Sequence, residues 1–234
     1  MVRRLLAMGR TQGCVAGLCV LLTAGMAQAD PARDAADAWV RGDIAAAQAL
    51  WQDLATTGNP RAQFNLGIIA DSAPQGVTRD AALAYRHYVD AAEGGFAPAY
   101  YNLGVMLLAG DDGVPANRAE AIDWLRAAAN TGDILAMVRL GEDLTADASA
   151  DGALGADEGA AWYLRAAEAD FAPAQSAVSM LYARGRGLPR DLGAAASWAE
   201  RAELTTMVTG DVGYCIPSSA PLLAKCRRIT PLYD

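Results

Sequence analysis

One six-residue phrase, Ala99-Tyr100-Tyr101-Asn102-Leu103-Gly104, recurs along the chain and sets narrow limits on what it can fold into. Ala62-Gln63-Phe64-Asn65-Leu66-Gly67 stands 37 residues before it, and Ala136-Met137-Val138-Arg139-Leu140-Gly141 stands 37 residues after it. A weaker copy is Ala174-Gln175-Ser176-Ala177-Val178-Ser179. Self-similarity at such a period means one supersecondary unit stacked on copies of itself, each burying a face that it cannot bury alone.

The unit reads as two helices. In the first full copy Ala62, Leu66, Gly67 and Ile69 fall at spacings of three and four, which puts them on one helix face. A loop over 72–79 contains Pro74 and Gly76, and Asp80 is placed to cap a second helix carrying Tyr88, Ala91 and Ala92. Gly94-Gly95 ends it. The plan repeats most cleanly over 97–132, with Asn117 as cap, Ala121, Trp124, Leu125 and Ala128 as the apolar face, and Gly132 as stop. A degenerate unit over 30–60 precedes these, with the end of one helix expected over 35–40, a second helix over 44–57 and Asp43 as its cap. The unit over 134–170 has a longer acidic loop over 145–159, and either Gly155 or Asp157 starts its second helix. The last unit, 172–204, has the loop Gly185-Arg186-Gly187-Leu188-Pro189-Arg190-Asp191. The expected fold is therefore all-α: about four to five stacked αα-hairpins over residues 30–204, with a short non-repeat tail over 205–234.

The first 29 residues are different material. Arg3, Arg4 and Arg10 precede an apolar run from Cys14 to Met26, and Ala27-Gln28-Ala29 follows. This is the pattern of a secretory signal peptide cleaved after Ala29, with too short an apolar run for a membrane span. Cleavage would take the formal net charge from −8 to −11. The expected location is periplasmic or secreted, with no membrane insertion after cleavage. So acidic a chain, without a basic patch, repels phosphate backbones, which argues against nucleic acid as a partner.

The phrase A-x-x-x-L-G, a loop G-x-G-V/L-P-x-D, then A-x-x-W-x-x-x-A-A and a closing Gly resembles the Sel-one-like repeats, relatives of the tetratricopeptide repeats. Ala99, Leu103, Gly104, Gly113, Val114, Ala121, Trp124, Ala128 and Gly132 carry the resemblance in the best unit. Gly185, Gly187, Leu188, Pro189, Asp191 and Trp198 carry it in the last. Three places depart from it: His87 stands where Trp is expected, the fourth unit lacks the Gly-x-Gly loop, and Ser179 replaces the packing glycine. The resemblance implies a right-handed α-solenoid that serves as a scaffold and holds a protein or peptide in a concave groove lined by first helices. By analogy with tetratricopeptide grooves, Phe64, Asn65, Tyr101, Asn102, Arg139 and Glu142 are the candidate groove residues; the competing reading is inter-repeat packing. A regulatory or assembly role in the cell envelope extends the same resemblance.

The residues offer little for catalysis. His87 is the only histidine, and mid-helix it reads as a half-buried packing residue. Lys225 is the only lysine, and Leu222 stands where a Ser-x-x-Lys nucleophile would need serine. The glycine loops are repeat turns rather than phosphate cradles. Asp111-Asp112 and the group Asp147, Asp151, Asp157 and Glu158 lack EF-hand spacing and read as solvated loops rather than Ca²⁺ sites. Trp124, Trp162 and Trp198 lie in register for core packing rather than as a stacking platform. No catalytic residue, metal or cofactor is expected. A cell-wall-directed or β-lactam-related hydrolase is the alternative, although the branch of the family to which it belongs pairs cysteines within each repeat and these repeats hold none. A structural spacer is a third reading. The oligomeric state is open.

Cys215 and Cys226 remain in the tail after cleavage. In an exported protein they are expected to pair, which in the chain-entropy model contributes on the order of 3 kcal/mol. The closed tail is expected to cover the last apolar face near Trp198.

Overall fold

A computed structural model describes residues 30–146 and 152–209. Ten helices run through them: α1 (Pro31–Val40), α2 (Ile44–Thr56), α3 (Pro60–Ser72), α4 (Ala81–Glu93), α5 (Pro98–Ala109), α6 (Arg118–Asn130), α7 (Ile134–Ala146), α8 (Gly152–Glu168), α9 (Ala172–Arg184) and α10 (Leu192–Thr209). They pack as five consecutive hairpins, α1·α2 through α9·α10, and each hairpin packs on the next, giving an α-solenoid.

The ends of the helices follow from a few polar residues at the repeat period. Asp43 Oδ1 accepts from the Ala46 N–H at 3.1 Å, Asp80 Oδ1 from Leu83 at 2.8 Å, and Asn117 Oδ1 from Glu120 at 3.3 Å. Asp191 Oδ1 accepts from both Gly193 and Ala194 at α10. Asn59 and Asp133 cap the first helices α3 and α7 in the same way. Each such cap satisfies a backbone donor that the helix itself leaves unpaired. The turns between hairpins need a left-handed residue, supplied by Gly58, Gly95 and Gly132 at φ +77°, +80° and +96°. In the fourth period Asp170 takes that place at φ +57°. Its carboxylate accepts from Arg201 at 2.7 Å and from Gln175 Nε2 at 3.4 Å, which ties the non-glycine turn to the hairpin that follows.

The core runs along the stack rather than sitting inside any hairpin. One cluster joins Ala35, Ala47, Trp51, Leu66 and Ile69, from three helices of two hairpins. The next joins Phe64, Tyr88, Leu103 and Ala121, and the third joins Tyr101, Leu125, Leu140, Tyr163 and Val178. Close approach inside the hairpins depends on the phrase's glycine. A Cβ at Gly67 would lie 2.6 Å from Tyr88 Cε1, at Gly104 2.5 Å from Leu125 Cγ, and at Gly141 2.5 Å from Tyr163 Cδ2. First-helix glycine and second-helix bulk therefore fit as a pair.

Two boundaries differ from the sequence reading. The second helix of the fourth unit starts at Gly152, ahead of both Gly155 and Asp157, so much of the expected loop over 145–159 is helix. Gly159 is the physical reason: a Cβ there would lie 2.9 Å from Thr145 Cγ2 and 3.0 Å from Leu144 Cβ, so this glycine marks a close helix contact with α7, not a turn. At the other boundary α10 continues past residue 204 to Thr209. The expected signal peptide, Cys215, Cys226 and the short tail helix near 220–227 lie outside the described residues.

Candidate functional site

The six groove candidates divide into two groups. Phe64, Asn65 and Tyr101 are only 3%, 2% and 4% exposed, so they belong to the interior and not to a groove surface. Phe64 sits against the tilted rings of Tyr88 and Phe96, at 5.7 and 5.2 Å between centroids. Tyr101 joins the cluster formed by α6, α7 and α8. An inner first helix is enclosed by its own partner helix and by the hairpins on either side. In α3 this buries Ala62 and an unbroken run from Phe64 to Ala70, far more than one amphipathic stripe. The competing reading, inter-repeat packing, holds for these three.

Asn102, Arg139 and Glu142 are partly exposed. Asn102 and Arg139 occupy the same place in consecutive phrases, and Glu142 lies one turn further along α7. Arg139 Nη1 donates to Glu142 Oε2 at 3.3 Å, with side-chain exposures of 17% and 27%. Arg139 Nε is buried without a hydrogen-bond partner. Burial pushes the Glu142 carboxyl above its ordinary pKa, against the opposing pull of Arg139. Burial, with Glu142 as a second cause, pushes the Tyr163 phenol on α8 well above its ordinary range. The result is a half-desolvated polar cluster with one guanidinium donor unused.

Several connections escape a reading of one repeat at a time. Gln63 and His87 are linked by a 2.7 Å contact between Gln63 Oε1 and His87 Nδ1. At the same two repeat positions Tyr100 and Trp124 stack at 5.7 Å. The recurring offset between the two helices is the signal that could have paired them. Trp124 and Trp162 donate their indole N–H to the glutamate four residues earlier, Glu120 at 3.4 Å and Glu158 at 3.2 Å. Trp162 is buried in the core, and Trp124 and Trp198 pack half-buried beside it. Ion pairs staple neighbouring hairpins: Arg126 to Glu158 at 2.7 Å, and Arg79 to Asp111, while Arg79 also pairs with Asp71 inside its own unit. These partners hold the Glu158 and Asp111 carboxyls below their usual range. Asp111 and Glu158, read from sequence as members of solvated acidic groups, are staples between repeats. Asp147 and Asp151 lie outside the described residues.

No helix among the described residues is long and apolar enough to cross a membrane. A stack of αα-hairpins burying a continuous core defines the class: an α-solenoid repeat protein. Four copies of the Sel1 repeat match residues 60–96, 97–133, 134–171 and 172–203, and the chain belongs to the Sel1 repeat family. Scaffolds of this family typically mediate protein–protein interaction. A Sel1 repeat protein from Oxalobacter formigenes shares the fold at TM-score 0.64 and 27% identity, over 73% of this chain and 69% of that one. The protein c5321, a protective antigen of uropathogenic Escherichia coli with an SLR fold, superposes at TM-score 0.61 with 28% identity. That match covers 67% of this chain and 33% of the antigen, so the chain spans about a third of its length. No curated protein matches the chain.

Proposed function

We propose that this protein is an exported, non-catalytic scaffold that holds a protein or peptide partner along the face of its first helices. Arg139 and Glu142 form the polar anchor, and Asn102 extends it into the preceding repeat. The observation that carries the reading is the partly exposed Arg139–Glu142 pair on α7, with Asn102 at the same repeat position in α5. The leader-like residues 1–29 support export to the periplasm or beyond. The engagement of His87, the only histidine in the chain, with Gln63 inside the α3–α4 contact supports a non-catalytic role.

The test is a crosslinking capture from the envelope fraction, followed by direct binding of the purified prey. Wild type is compared with Asn102→Ala/Arg139→Ala. The expected result is one prey whose affinity weakens at least about tenfold in the variant, a loss of roughly 1.4 kcal/mol, with helical circular dichroism unchanged. Equal affinity for wild type and variant would remove Arg139 from the binding face.

A further inference from the structure

The last hairpin breaks the rule that the three before it obey. In those, the glycine of the first helix faces bulk on the second: Gly67 with Tyr88, Gly104 with Leu125, Gly141 with Tyr163. In α9 the glycine is Ser179, and in α10 the residue after the tryptophan is Ala199. Ser179 Oγ donates to the Ala195 carbonyl at 2.7 Å, so its short side chain turns toward the α10 backbone. Ala199 is exposed, whereas Tyr88, Leu125 and Tyr163 are buried. The missing bulk leaves a groove of about 400 Å³ lined by Ser176 and Ser179 from α9 and by Ala199, Ala202, Glu203 and Met207 from α10. Around it Met180, Leu204 and Met207 are 51%, 56% and 77% exposed. Ile68, at the place of Met180 in the first full repeat, is 4% exposed, enclosed in the cluster it shares with α4, α5 and α6.

We propose that residues 210–234 of the same chain dock in this groove and take the place of the next hairpin. The segment leaves α10 at Thr209, two residues beyond Met207 on the groove's lip. It therefore reaches the site at an effective concentration no free partner matches. It carries Tyr214, Ile216, Leu222, Leu223 and Ile229, the kind of bulk that Ser179 and Ala199 do not supply. It also carries Lys225, Arg227 and Arg228, and the exposed carboxylates on the adjoining stretch of α10 are Glu200 and Glu203. The cationic cluster at 225–228 is complementary to Glu200 and Glu203, and covering the end of the array removes the apolar face that would otherwise invite end-to-end association.

Lys225, Arg227 and Arg228 make the proposal measurable, because trypsin cleaves after them only when the tail is accessible. The experiment uses the mature full-length chain, oxidised and reduced, with the double variant Leu204→Gln/Met207→Gln. Both replaced side chains are exposed, so the hairpin keeps its packing, and Val40→Gln at the opposite end serves as control. Docking requires slow cleavage at 225–228 in wild type and in the control, and at least tenfold faster cleavage in the double variant under both redox conditions, with the thermal midpoint of the helices unchanged. Equal tail cleavage in wild type and double variant overturns the proposal. So does protection in wild type that disappears on dilution together with a dimer seen by light scattering, since the occupant is then a second copy of the chain.

Discussion

The hairpins α5·α6 and α9·α10 share a plan and differ in where they put their bulk. In α5·α6, Gly104 lets Leu125 reach the α5 backbone, and Leu125 is fully buried. In α9·α10, Ser179 bonds to a backbone carbonyl, Ala199 is exposed, and a groove opens between the helices. The first hairpin has neighbours on both sides in the chain of contacts; among the described residues the second has a neighbour only in α7·α8. An apolar side chain contributes in proportion to the area taken from water. Position in the array therefore sets how strongly each register site is constrained. The interior demands a shape-matched pair, and the end tolerates small polar residues.

The largest test of this contrast is Leu125→Ala against Ala199→Gly, two truncations at one register position. Leu125→Ala should cost about 2–5 kcal/mol through lost burial and the cavity left behind. Ala199→Gly should cost at most about 1 kcal/mol, the helix-propensity difference alone. Urea unfolding at fixed protein concentration measures both. Losses within half a kcal/mol of each other would mean that the end hairpin is packed like an inner one.

A smaller effect isolates the pairing itself. A Cβ at residue 104 would lie 2.5 Å from Leu125 Cγ and 3.1 Å from the Ala121 carbonyl. Gly104→Ala should therefore destabilise by about 1–3 kcal/mol, against the general tendency of alanine to stabilise a helix interior. The double change Gly104→Ser/Leu125→Ala copies the last hairpin into the middle of the stack. Its cost should fall below the sum of the single costs by about 0.5–3 kcal/mol, the coupling expected of residues in contact. Strict additivity would show that glycine and bulk are not a unit.

This pairing also marks how far the sequence could be read. Period, helix order and the caps at Asp43, Asp80 and Asn117 were legible because each is a local rule, readable within a few residues of chain. Phe64, Asn65 and Tyr101 were misplaced because helical periodicity tells which residues share a face, not how many faces are covered. In a solenoid the inner first helices are enclosed on nearly every side, so side chains off the main stripe are buried as well. The loop over 145–159 was drawn too long for a related reason: glycine signals a turn and a close helix approach with the same letter. The staples Arg79–Asp111 and Arg126–Glu158 join residues about one repeat apart, and no single unit holds both partners. Arg139 and Glu142 were named from the sequence by analogy alone, whereas their ion pair and the buried Nε are properties of the packed structure.

His87 offers the finest version of the comparison, because it replaces the tryptophan of α6 at one register position. Tyr100 stacks on Trp124, whereas Gln63 meets His87 through a hydrogen bond. Burial lowers the His87 pKa below its ordinary 6.5, opposed by the charge of Asp90 and reinforced by that of Arg86. Folding therefore favours the neutral ring. Its stabilising contribution is fully present above pH 6.5, the unfolded value, and is lost as pH falls from there to the folded value. Wild type should lose thermal midpoint between pH 7.5 and pH 5.5 by more than His87→Gln does, and by less than either packing change above. The carboxylates common to both chains cancel in that difference. If the two profiles run parallel, the imidazole is solvated when folded, and α3·α4 is looser at this register than its hydrogen bond to Gln63 implies.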